Sequence, residues 1–235
     1  MNYVIIRTCA RDDYLSLLCY ESFRNAGIDA KYVFVAEEWK AFKNEAYTWI
    51  HKPEIEINFR KPCDNYGGQL GAKAMISFLR DVLPSEIEDD DIIIVSDSDV
   101  VVKENFIDLL EDDFQHAGTA GAADTPDRAK NRPEGDFLHI SGQMQIFSGM
   151  CMKSILDMVK NESIIDAIVE EMLELELNIA DDTFMSYVTD VMRQKKQLML
   201  LGDKWIHQKF YEHVGRTDWQ ELINEIKEQT ILSTQ

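Results

Sequence analysis

The chain has 235 residues, 45% of them hydrophobic, which suffices for one substantial core within the size range of a single large domain. Its 24 Lys and Arg stand against 43 Asp and Glu, and the formal net charge of −19 disfavours general affinity for nucleic acid or for anionic lipid surfaces. A nucleotide ligand remains compatible with that charge, because a divalent cation held by carboxylates inverts the field locally.

The cysteines Cys9, Cys19, Cys63 and Cys151 are scattered, with no C-x-x-C pair, and are expected to be reduced structural thiols. No segment approaches the roughly 20 consecutive apolar residues that a membrane span needs, so the expected location is the cytoplasm.

Tyr3 to Ile6 is a short β-branched run that predicts a first strand, with Asp12 or Asp13 as the N-cap of a helix behind it. That helix spaces Leu15, Leu18, Cys19, Ser22, Phe23 and Ala26 at intervals of three and four, and Gly27 is the residue expected just past its end. Lys31 to Ala36 reads as the next strand. A strand, helix, strand opening demands a parallel sheet, so the expected class is α/β.

From Gly67 a second helical pattern carries Leu70, Met75, Phe78, Leu79 and Val82 on one face and stops at Pro84. Ile92 to Val95 is apolar without alternation, as a central strand covered on both faces should be. Met144–Phe147 and Gln197–Leu201 read as further strands. Helical patterns cover Ser163–Leu177, Asp181–Arg193 and Thr217–Ile231, the last opening on a capping box and burying Trp219, Leu222, Ile223 and Ile226. The breaker-rich stretch Asp124–Gly135 reads as a loop.

The chemistry is carried by Asp97-Ser98-Asp99. Two carboxylates one residue apart, on a chain leaving a buried strand, can converge on one hard cation, for which Mg²⁺ or Mn²⁺ is suited, at the sheet edge where open α/β folds bind ligands. The same residues also suit a plain strand-to-turn exit, since Asp is common in turns.

Taken together, the segments resemble the glycosyltransferases of the GT-A fold over most of the chain. Ile92 to Val102 is similar to the metal-binding D-x-D strand of that family, in which Asp97 and Asp99 would hold the cation bridging a nucleoside diphosphate and Ser98 would lie beside the donor. Thr8 to Asp12 resembles its nucleotide-contacting turn, which implicates Thr8 and Arg11, and Val35-Ala36-Glu37 resembles the strand end near the base, which implicates Ala36 and Glu37. Lys73 looks like a basic residue facing the donor, with a solvated helix face as the alternative. Phe147-Ser148-Gly149-Met150 resembles the stretch beside the transferred sugar, implicating Gly149, although a glycine there could also serve a simple turn.

Asp181-Asp182 is similar to the acidic pair that supplies the base in inverting members, with Asp182 as the candidate base; a helix N-terminus stabilised by its dipole explains the pair as well. His207 sits where many members carry a late histidine ligand, with His213 as the competing choice.

The resemblance implies one GT-A-type α/β domain over residues 1–235, with a nucleotide-binding half (1–100) and an acceptor-binding half (101–235). It implies a metal-dependent transferase taking a sugar from a nucleoside diphosphate donor, a UDP-sugar favoured, to an unassigned acceptor, with inversion slightly favoured. Two alternatives are a Mg²⁺-dependent phosphohydrolase of the haloacid-dehalogenase type, which also ends an apolar strand in D-x-D, and a non-catalytic sugar-nucleotide-binding protein. Trp39 and Trp49 are open to interface, acceptor-platform or core roles.

Overall fold

The computed structural model describes residues 1–8, 13–37, 54–60, 68–120, 139–177, 179–197 and 211–213. The opening strand, helix, strand unit is present as β1 (Asn2–Thr8), α1 (Asp13–Asn25) and β2 (Lys31–Glu37), followed by β3 (Ile55–Arg60), α2 (Gly68–Val82) and β4 (Ile92–Asp97). The second half adds β5 (Val100–Val102), β6 (His116–Ala120), β7 (Ile140–Ser148), α3 (Gly149–Met158), α4 (Glu162–Glu174), α5 (Asp181–Val191), β8 (Lys196–Gln197) and β9 (Tyr211–His213).

Seven strands form one mostly parallel sheet in the order β3-β2-β1-β4-β7-β6-β8. Strands β3, β2, β1 and β4 run parallel, whereas β7 is antiparallel to both β4 and β6. The chain leaves β1 toward one edge and returns to its other side with β4, so the strand order reverses between β1 and β4. In an open α/β sheet a crevice forms at the carboxyl ends of the strands at such a point.

Alternation sorts the strand residues onto two faces. Tyr3, Ile5, Val33, Val35, Ile93, Val95 and Phe147 join the core under α2, α3, α4 and α5. Val4, Ile6, Phe34, Ala36, Ile94 and Ile146 join the opposite core with Cys19, Tyr20 and Phe23 of α1. The uninterrupted apolar run of β4 is thus a strand covered on both sides, as its pattern predicts.

Helix α1 buries Leu15, Ser16, Cys19, Tyr20, Ser22 and Phe23, while Leu18 is only half-buried. It ends at Gly27, whose φ of +78° is the left-handed conformation that glycine adopts at low cost. The Gly27 amide donates to Arg24 O at 3.0 Å and the Ile28 amide to Phe23 O at 3.2 Å, the paired bonds that close a helix end. β7 is longer than the Met144–Phe147 strand expected from sequence, and the turn-prone Asp124–Gly135, the Thr217–Ile231 helix, most of Gln197–Leu201, Trp39 and Trp49 lie outside the described residues. Among the described residues no helix is long and apolar enough to cross a membrane.

Candidate active site

Arg7 and Asp97 are register partners at the carboxyl ends of β1 and β4, on the two strands that flank the reversal. Arg7 continues the face of Tyr3 and Ile5, so its side chain enters the layer beneath α5 with 11% of its surface exposed. There one terminal nitrogen donates to Asp181 Oδ2, and the other donates to Asp97 Oδ1 at 2.5 Å and to the Gly142 carbonyl at 3.0 Å. A buried guanidinium of this kind requires anionic partners, because an unpaired charge removed from water is costly.

Helix α5 brings the acidic pair to this edge by packing along β7. Its first nine residues, Asp181 to Thr189, are all buried, and two of them, Asp182 and Ser186, bond to the start of β7. The Ile140 amide donates to Ser186 Oγ at 2.9 Å, and the Gly142 amide donates to Asp182 Oδ2 at 3.1 Å. The other oxygen of Asp182 accepts the Thr183 amide at 2.7 Å and the Thr183 hydroxyl at 3.3 Å. His139 Nε2 lies 3.3 Å from Asp182 Oδ2, with both side chains under a tenth exposed. Asp181 Oδ1 accepts the Asp182 amide at 2.9 Å, which leaves its Oδ2 for Arg7.

Below this cluster β6 and α5 meet through buried polar side chains. His116 stacks on Phe147 with ring centroids 4.3 Å apart, and its Nδ1 lies 3.2 Å from Thr189 Oγ1. Burial, followed by the nearby Lys196 and His139, holds its pKa well below 6.5, so the ring is neutral at ordinary pH.

Asp97, Ser98 and Asp99 pass from β4 into a turn. Ser98 is buried, Asp99 is half-buried, and Asp97 keeps 37% of its side chain exposed. These carboxylates fit a hard divalent cation in kind, as oxygen donors one residue apart. They do not complete a metal site in number, since among the described residues no three His, Cys, Asp or Glu side chains cluster as ligands. The turn leads into β5, which pairs antiparallel with β9 and sets Val100 opposite His213. Of the two late histidines weighed as ligands, His213 has its backbone opposite Val100, the residue after Asp99, while His207 lies outside the described residues, as does Arg11.

Thr8 ends β1 on the α1 side of the sheet, where its hydroxyl is hydrogen-bonded to Ser16. Ala36 stands in register with Thr8 and is fully buried in the α1 core, and Glu37 closes β2 in register with Arg60.

Two of the expected site residues are engaged elsewhere. Lys73, expected to face the donor, turns to α4 and pairs with Asp166 at 2.8 Å and Glu162 at 3.7 Å, an ion pair that raises its pKa. Gly149, expected beside the transferred sugar, is at the opposite end of the sheet. Because β7 is antiparallel to β4, Ser148 pairs with Ile92 at the amino end of β4. Ser148 Oγ there accepts the Cys151 amide at 3.2 Å as the N-cap of α3. A β-carbon on Gly149 would lie 1.8 Å from the Glu88 carbonyl, so close approach of two backbones explains this glycine.

The glycine that does reach the site is Gly142, together with Arg7 and His139, none of them singled out from sequence. Arg7 carried a signal: a lone charge on the same two-residue pitch as the buried Tyr3 and Ile5.

A seven-stranded sheet that reverses between β1 and β4, with acidic groups gathered at the carboxyl ends, defines the chain as a mixed α/β protein of GT-A type. A solved structure with this fold is the galactosyltransferase LgtC in complex with donor and acceptor sugar analogues, similar at a TM-score of 0.52 and 9% identity over 79% of this chain and 69% of that one. No protein-family model matches the sequence, and no curated protein does.

Proposed function

We propose that the chain is a glycosyltransferase that takes a sugar from a nucleoside diphosphate sugar, with a UDP-sugar favoured, and passes it to an acceptor hydroxyl. The observation that carries this reading is the meeting of Asp97 and Asp181 on one guanidinium at the carboxyl ends of β1 and β4. Residues remote in sequence converge where a fold of this type has its crevice. The likeness to a galactosyltransferase supports the same reading through the fold.

On this reading Asp97 and Asp99 would hold Mn²⁺ or Mg²⁺, which when bound would neutralise charge on the departing diphosphate. Asp182 is the candidate base in an inverting reaction. Both of its oxygens are oriented by fixed donors, the amides of Gly142 and Thr183, which suits a carboxylate that must meet an acceptor proton at a set angle. Asp181 is less suited, because its Oδ2 is committed to Arg7.

The test is thermal unfolding with Mn²⁺ and UDP, GDP or CMP, on the wild type and on Asp97→Asn/Asp99→Asn. The expected result is a rise in Tm that needs both the cation and one nucleotide and is absent in the variant, since a ligand that binds the native state raises Tm. Phosphatase activity without any nucleotide-dependent shift would overturn the reading. Hydrolysis of the matching nucleotide sugar, followed by the anomeric configuration of the released sugar, then distinguishes inversion from retention.

A further inference from the structure

Asp97, Asp99 and Asp182 have roles in the reading above, whereas Arg7 has none. Its contacts nonetheless join three elements, α5 through Asp181, β4 through Asp97 and β7 through the Gly142 carbonyl. The planar fork of a guanidinium can bond three acceptors in fixed directions, and its charge persists at any working pH. Its Nε is buried and has no acceptor among the described residues. The side chain is therefore anchored through its terminal nitrogens alone, and both charged partners are acidic groups named in the proposed chemistry.

One of those partners is the carboxylate assigned to the metal. A divalent cation arriving at Asp97 would meet an anion whose Oδ1 already accepts from Arg7 at 2.5 Å, and would stand near a positive charge that cannot be lost. Both effects oppose cation binding. We propose that Arg7 is a positioning residue that ties Asp97 to the first turn of α5, and that it competes with a divalent cation for the Asp97 carboxylate. The proposal rests on the assignment of Asp97 as a cation ligand. In the cation-free protein Arg7 keeps the β4 exit and α5 together; when the cation binds, the Asp97 carboxylate is shared and the guanidinium is held chiefly by Asp181.

A purely structural clamp and a competing cation differ in one measurable sign. Loss of a clamp disorders the carboxylates and weakens cation binding, whereas loss of a competitor strengthens it. The experiment is titration of the full chain with Mn²⁺ alone, read by isothermal calorimetry and by the paramagnetic signal of the free ion, for the wild type, Arg7→Gln, Arg7→Lys and Asp97→Asn. Arg7→Gln is expected to bind Mn²⁺ tighter by on the order of tenfold, the scale of one nearby charge in a partly screened site. Arg7→Lys keeps the charge and is expected to stay within about threefold of the wild type while losing Tm, because one ammonium cannot replace the fork. Should Arg7→Gln fail to fold, Arg7→Gln/Asp181→Asn is compared with Asp181→Asn, which keeps Arg7, and is expected to bind Mn²⁺ tighter than that reference.

If Asp97→Asn abolishes Mn²⁺ binding and the Arg7-neutral variant binds no tighter than its reference, the proposal falls and the assignment of Asp97 survives. If none of the proteins binds Mn²⁺, or if Asp97→Asn leaves binding intact, the metal assignment falls and the proposal falls with it.

Discussion

Gly142 and Asp182 touch so closely that the glycine has no room for a side chain: a β-carbon there would lie 3.0 Å from Asp182 Cβ and 3.2 Å from Oδ2. The backbone itself would accept alanine, so Gly142→Ala is expected to push the Asp182 carboxylate by a few tenths of an ångström without unfolding the chain. Transfer is expected to fall by roughly tenfold, a fraction of the loss that a full ångström of misplacement brings. Stability is expected to change by only about 1 kcal/mol. Turnover of the donor beside a urea titration checks both; an alanine variant with wild-type turnover would remove Asp182 from the chemistry.

Gly149 should behave in the opposite way. A methyl there meets the Glu88 carbonyl at 1.8 Å, and the Gly149 amide donates to Asp91 O at 2.7 Å, so the contact is between backbones that cannot turn aside. Gly149→Ala is expected to cost about 3 kcal/mol or more, as overpacking against rigid neighbours does. Nucleotide affinity of the fraction that folds is expected to be unchanged, because the residue is at the amino end of β4. Denaturant midpoints and nucleotide titration at low temperature separate the two effects.

These two glycines show where sequence reasoning reached its limit. The dipeptide Ser-Gly occurs at both ends of β7, as Ser141-Gly142 and Ser148-Gly149. In an all-parallel sheet the later one would stand at the ligand edge, and the resemblance of Phe147 to Met150 pointed to it. The strand runs antiparallel, which no local pattern encodes, and so its first residues reach the site instead. Strand and helix identities were legible, because alternation and three-to-four spacing are local properties. The D-x-D turn was legible for the same reason, since an apolar run with an abrupt polar stop marks a strand end. The meeting of Arg7 with Asp181 was not, because it depends on how α5 lies across β7. Lys73 likewise has an α4 partner that only tertiary packing supplies.

The two acidic partners of Arg7 differ in burial and should differ in cost. Asp181 has 12% of its side chain exposed and Asp97 37%. Asp181→Asn leaves a mostly buried guanidinium short of an anion and is expected to destabilise by about 2–4 kcal/mol. Asp97→Asn removes a partner that water can partly replace and is expected to cost about 1 kcal/mol or less. Urea unfolding of the two variants at neutral pH gives the ranking; a greater loss from Asp97→Asn would mean that α5 does not depend on Arg7.

His116 supplies a stability test that turns on sign. Burial, with Lys196 and His139 adding to it, depresses its pKa well below 6.5, so the native state refuses a proton that the unfolded chain accepts. Above about pH 6.5 both states are neutral at this residue, and it contributes no pH dependence. As the pH falls below that value the unfolded state gains protons first, and stability drops by at most about 1.4 kcal/mol per pH unit until the native ring also titrates. His116→Phe keeps an aromatic ring over Phe147, and Thr189 retains its bond to the Ser186 carbonyl at 2.9 Å. The variant is expected to flatten the stability profile between about pH 6.5 and 5 relative to the wild type, measured as the difference in urea midpoints at each pH so that carboxylate titration common to both cancels. Parallel profiles would show that the ring binds protons alike in the native and unfolded states, so that burial does not depress its pKa.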